Sequence, residues 1–139
     1  MEIARLIIDF GFLILIWMVQ VIMYPAMYSI KRKNFAKWHE KYSTLISYFV
    51  APLLFIQTGL ITYQLLFLFD ILLIAELALL SIIWVTTFFV AIPLHNQMNL
   101  EHRRKFLIQK LIGVNWIRTA CWSLLFICST IRFFKDITF

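Results

Sequence analysis

The sequence predicts an all-α, polytopic membrane protein: four transmembrane helices packed as one antiparallel bundle. Three observations carry that expectation. Hydrophobic residues make up 63% of the chain and charged residues only 14%, whereas soluble domains run near half apolar and a quarter charged. Four stretches reach the ~20 apolar residues that cross a hydrocarbon core of ~30 Å. The linkers between them are short, and with three Gly and three Pro there is little material for long loops. The 139 residues suit a single domain.

The first span covers about residues 4–27. Glu2 and Asp9 stand where a cleaved leader carries basic residues, and the apolar run has no small-residue cleavage site, so this segment is expected to stay in the membrane. The second span covers about 42–67 and the third about 71–94. Only Leu68, Phe69 and Asp70 join them, which forces a helical hairpin. The fourth covers about 106–133. Pro52 falls inside span two, where it is expected to kink the helix beside Ser47 and Gln57.

Orientation follows from Lys and Arg. The first loop holds Lys31, Arg32, Lys33, Lys37 and Lys41, and the third loop with the start of span four holds Arg103, Arg104, Lys105 and Lys110, nine in all; the other side has Arg5, Arg132 and Lys135. The nine-residue side is expected to be cytoplasmic and both termini outside, as in a bacterial inner-membrane protein. The net charge of +6 is accounted for by these flanks, so nucleic acid is not an expected partner. Cys121 and Cys128 are seven residues apart, about 10.5 Å along one helix. That is too far for a disulfide.

Polar residues at membrane depth are costly and therefore candidates for function. Asn115, Arg118, Thr119 and Trp122 follow the 0, 3, 4, 7 spacing of one helix face. Arg118 lies twelve residues past Phe106, ~18 Å into the membrane. It keeps its charge there, so it needs an anion, carbonyls or water. Glu76 of span three is the expected ion-pair partner of Arg118. Span one offers Trp17, Gln20 and Tyr24 on one face, and span two offers Ser43, Ser47, Gln57 and Gln64. Trp116 and Trp122 flank Arg118 and are expected to make cation–π contacts with it. The polar faces are expected to converge on an interior cavity that holds a hydrophobic small molecule. Arg118, Asn115 and His95 are its candidate catalytic residues. Gln20, Tyr24, Gln57, Asn96, Trp116 and Trp122 are its candidate ligand-binding residues.

His39 precedes span two and His95 closes span three, so the hairpin brings them to adjacent helix ends. With Glu40 or Glu101 they form a candidate transition-metal site. The other reading is a pair of interfacial histidines, and no cofactor is required by the sequence.

The segment Val90-Ala91-Ile92-Pro93-Leu94-His95-Asn96-Gln97-Met98, followed by Asn115-Trp116-Ile117-Arg118-Thr119, resembles the DUF1772 superfamily of four-helix membrane proteins, which includes the anthrone-oxygenase-like proteins. Those carry a V-P-L-N-x-x-L and then a W-N-x-V-R-T segment. Pro25, Phe35 and Pro52 fit the same pattern. His95 beside Asn96, Trp38-His39 and Gln20 depart from it. The resemblance implies the four-helix fold and an oxygenase-like oxidoreductase acting on a flat hydrophobic molecule. Two other classes stand beside that reading. One is a small transporter, for which a homo-oligomer is expected because four helices enclose a thin pathway. The other is an accessory subunit of a membrane complex.

Overall fold

The structure is a computed structural model that describes residues 1–68, 70–98 and 104–138. Every element in it is helical. Four helices are long and apolar enough to cross a membrane: α1 (Glu2–Ser29), α2 (Arg32–Phe67), α3 (Ile71–Met98) and α4 (Arg104–Thr138). Each extends past the apolar stretch that betrays it, because helix-forming polar residues continue the turns into the flanks. At 1.5 Å per residue, α2 and α4 are each roughly 50 Å long.

Local chemistry sets the helix ends. Asp70 caps α3, its carboxylate accepting the Leu72 amide at 2.9 Å. Ile30 turns the chain between α1 and α2 with extended backbone, φ −77° and ψ 128°. Its carbonyl accepts from Arg104 Nη1 at 2.9 Å, which ties the first loop to the start of α4. Arg103, Glu101, His102 and Phe69 lie outside the described residues.

Two helices contain a wide π turn, Val19–Met23 in α1 and Thr86–Ala91 in α3. Each is followed two residues later by a proline, Pro25 and Pro93. A proline ring clashes with the carbonyl of the preceding turn, and a π turn supplies room for it. By contrast α2 remains α-helical through Pro52.

Packing is uneven. α1 lies along α4 over its length, and α3 also packs on α4. α2 is held more loosely, packing on the Ile71–Val85 part of α3 and standing off from the Thr86–Met98 part. Two apolar clusters fill the interior. One lies at the end with the basic loops and contains Met27, Phe35, Leu94, Ile108 and Leu111. The other is central and contains Phe12, Leu54, Ile83, Trp122 and Leu125, with Phe12 and Trp122 stacked at 4.6 Å.

The distribution of residue types is inverted relative to a soluble protein. Arg5, Asp9, Gln57, Glu76 and Asn115 are fully buried, while Phe49, Phe55, Phe89 and Phe134 are more than 60% exposed. An outer face this apolar needs an apolar surrounding.

Candidate functional site

Buried polar groups gather in two places, one toward each end of the molecule. At the acid-rich end, Arg5 of α1 donates from Nη1 to Gln64 Oε1 and to Glu76 Oε2, both at 2.7 Å. Its Nη2 lies 3.6 Å from Asp9 Oδ2. Arg132 of α4 reaches Glu76 Oε2 at 3.9 Å and Asp70 Oδ2 at 3.0 Å. Gln57 donates to Asp9 Oδ1 at 2.6 Å and accepts from the Trp122 indole at 3.2 Å. Gln64 also bonds Glu2. All four helices contribute to this network.

It corrects the expected pairing of Glu76 with Arg118. Glu76 sits five residues into α3 from one end and Arg118 fourteen residues into α4 from the other. Helices longer than a ~30 Å slab place the two at different depths. Arg5 and Arg132, at the right depth, take Glu76 instead. Gln57 likewise belongs to this network and does not line the cavity described below.

At the basic end lies a cavity of about 300 Å³. Its walls are Leu15, Ile16, Val19 and Tyr24 from α1, Tyr42, Ser43, Ile46, Ser47, Val50, Ala51 and Leu54 from α2, and Thr87, Phe88, Ala91, Ile92, His95 and Asn96 from α3; α4 contributes Arg118 alone. It exists because α2 stands off from the second half of α3. Both π turns border it, since Val19 lies in one and Thr87, Phe88 and Ala91 in the other.

Arg118 is 7% exposed and faces this cavity. Its Nη1 donates to Asn115 Oδ1 at 3.2 Å, its guanidinium lies 5.2 Å from the Trp122 ring, and the Tyr24 hydroxyl is within its hydrogen-bonding reach. Among the described residues no carboxylate lies within ion-pair distance of it, and its Nε has no partner. Asn115 holds it in place: its amide donates to Gln20 Oε1 at 2.6 Å, and Gln20 donates onward to the Ile112 carbonyl at 3.4 Å. Gln20 and Asn115 therefore buttress the cavity from behind its wall.

Beside Arg118 runs a chain of titratable rings. Tyr24 Oη lies 3.4 Å from His95 Nε2, and His95 Nδ1 lies 2.8 Å from His39 Nε2. The two imidazoles overlap at 5.0 Å, and Phe35 stacks on His39 from the other side at 5.3 Å. The expected meeting of His39 and His95 is thus present, as a direct hydrogen bond. Among the described residues no group of three or more His, Cys, Asp or Glu could hold a metal ion; Glu40 is exposed. One proton can sit in each gap of the Tyr24–His95–His39 chain, and all can shift together in either direction.

Of the two tryptophans expected around Arg118, only Trp122 is there. Trp116 is 49% exposed and meets Trp17, itself 43% exposed, edge to face at 5.7 Å on the outer surface. Trp116 precedes Arg118 by two residues, or ~200° around the helix, whereas Trp122 follows by four and shares its face. Trp17 anchors that outer pair by donating to Ser123 Oγ at 3.2 Å. Asn96 lines the cavity and is exposed. Cys121 and Cys128 are both free thiols.

Comparison of the chain with protein-family models, curated proteins and solved structures finds no match.

Proposed function

We propose that the four helices cross a membrane as an antiparallel bundle, basic loops on the cytoplasmic side, and that the cavity binds a hydrophobic small molecule by an oxygen atom placed at Arg118. One observation carries this reading. Arg118 is a buried, charged group that opens onto a mostly apolar cavity and has no acidic partner among the described residues. Burying a lone charge is costly, and the cost falls when an anion or a polarised carbonyl meets it. A ligand oxygen supplies that partner. Tyr24 stands beside it to complete a second hydrogen bond, and the Tyr24–His95–His39 chain offers a route for a ligand proton.

The location of the cavity favours binding over passage. It occupies the basic half alone, while the acid-rich half is filled by the Arg5–Asp9–Glu76–Arg132 network and the central apolar cluster. Oxidation of the bound molecule is the further step suggested by the likeness to anthrone-oxygenase-like proteins. Arg118 would serve it by stabilising an enolate or phenolate oxygen, as preorganised donors do wherever negative charge develops.

The test is to purify the protein in lipid nanodiscs and extract what accompanies it for mass spectrometry, comparing wild type with Arg118→Gln. A charge-assisted hydrogen bond contributes roughly 1.5–3 kcal/mol, so occupancy by an oxygen-bearing hydrophobic compound should fall roughly ten- to hundredfold in the variant. Equal recovery from both proteins, or none from either across several hydrophobic-compound libraries, would sink the proposal.

A further inference from the structure

The cavity has a side door. α2 and α3 touch at two places that bracket it. On the basic side His39 bonds His95 at 2.8 Å. On the other, the Trp84 indole donates to Thr58 Oγ1 at 3.0 Å and the Trp84 ring meets Phe55 edge to face at 5.2 Å. Between these clasps the helices part, and the cavity reaches the outer surface at Ser47, Ala51, Phe88 and Ile92, all exposed.

The depth of this opening is fixed by the helices. Ala51 is nine residues past Tyr42, and Phe88 is six residues before Leu94, the basic ends of the two apolar stretches. At 1.5 Å per residue they lie roughly 14 Å and 9 Å in. Both depths fall inside a ~30 Å hydrocarbon layer. A molecule using this opening arrives from among acyl chains and not from water.

Two further observations define it. The deep end of the cavity offers the unpaired Arg118 with its partnerless Nε, and Tyr24. Along the way, Ser43 Oγ on one wall and Thr87 Oγ1 on the other are buried hydroxyls without hydrogen-bond partners. Apart from Ser47, His95 and Asn96, the rest of the lining is aliphatic and aromatic. Such a site matches a molecule with one acidic head and an apolar chain. A charge is expensive at this depth, so the head must arrive neutral and ionise on meeting Arg118. A carboxylic acid does this, whereas a phosphate ester stays charged throughout.

Resting on the proposed cavity function, we infer that the ligand is a long-chain carboxylic acid dissolved in the bilayer, which reaches Arg118 sideways between α2 and α3 and leaves its chain in the opening beside Ala51 and Phe88. The acid's O–H bond breaks at the site. The proton passes into the Tyr24–His95–His39 chain and out at the basic end, and the carboxylate pairs with Arg118.

A fatty acid bearing a photoreactive diazirine at mid-chain tests this in phosphatidylcholine nanodiscs, with labelled residues mapped by mass spectrometry. The same diazirine carried on phosphatidylcholine gives the background labelling of every lipid-facing residue. The acid should label the segments around Ala51 and Phe88 at least fivefold above that background, and its methyl ester should not. Ala51→Trp should remove the enrichment at Phe88 while leaving the background labelling around Trp17 and Trp116 unchanged. Arg118→Gln should abolish the enrichment at both segments. Enrichment that survives Ala51→Trp, or appears only near the basic loops, overturns the side door while leaving the Arg118 site standing. Equal labelling by acid and ester overturns the carboxylic-acid assignment. Enrichment that is indifferent to Arg118→Gln counts against the cavity function itself.

Discussion

Arginine is buried at both ends of this protein, in opposite company. Arg5 is surrounded by Glu76, Asp9 and Gln64, and Arg132 approaches the same Glu76. Arg118 has an asparagine, a tyrosine and an indole face around it, and open space in front. The first arrangement is self-contained, since each cation has anions drawn from other helices and locks those helices in register. The second is incomplete as it stands. Burial of a charged residue therefore marks function only after its partners have been counted; the acid-rich end is the more conspicuous cluster and the less promising site.

The comparison breaks most visibly at Arg5. Arg5→Met leaves Glu76 and Asp9 buried with one cation removed, and loss of one partner from a buried pair costs about 3–5 kcal/mol. Denaturation in mixed detergent should show that loss. Arg118→Gln, assayed alongside, should unfold within a few degrees of wild type, because no buried acid is orphaned. Equal destabilisation by the two would erase the distinction drawn between the ends.

Gln57 sharpens the same contrast at intermediate size. It links α1 to α4 by donating to Asp9 and accepting from Trp122. Gln57→Leu keeps the volume and strands two buried partners, at about 1–3 kcal/mol. Binding at the cavity should be unaffected, and a ligand affinity that fell along with stability would make Gln57 part of the site after all.

The smallest effect belongs to Asp70, at the rim of the network. The Leu72 amide it caps holds its carboxyl below the ordinary carboxylate value, and the charges of Arg132 and Lys135 add to this. A depressed native pKa contributes stability above the unfolded value near 3.8 and loses it as pH falls through the native one. Asp70→Asn should thus cost about 1 kcal/mol or less near neutral pH, the side chain being largely solvated. The gap from wild type should narrow as pH falls below 3.8 and vanish once pH is below the lowered native value. A gap that stayed constant to lower pH would assign the whole effect to shape.

Hydropathy made the four helices legible, and the short 68–70 link made the meeting of His39 and His95 legible, because both depend only on how far along a helix a residue lies. The network at the acid-rich end was not. Arg5 and Arg132 stand near span ends, where basic residues ordinarily face lipid headgroups, so in the sequence alone they count as topology signals. One pattern could have found Arg5: it shares a buried stripe with Asp9, Phe12 and Ile16 at steps of 4, 3 and 4. Trp116 was misplaced inward by its nearness in sequence to Arg118, although two residues turn a helix by ~200°. The cavity itself depends on the spacing between α2 and α3, which no single-helix periodicity records.

The two π turns make the site tolerant of a miscount. A π turn holds one residue more than the α-helical turn it replaces, within about the same rotation. Removing a single outward-facing residue from Val19–Met23, such as Ile22, would return that turn of α1 to regular pitch and leave the residues beyond it on nearly their former faces, Tyr24 among them. The same holds for Phe89 and His95 in α3. α4 has no such turn. Deleting its outward-facing Ile127 would swing everything beyond by ~100° and carry Arg132 away from Glu76. The chain thus carries a spare residue in each helix that borders the cavity with a π turn, and none in the helix that ties the acid-rich end together.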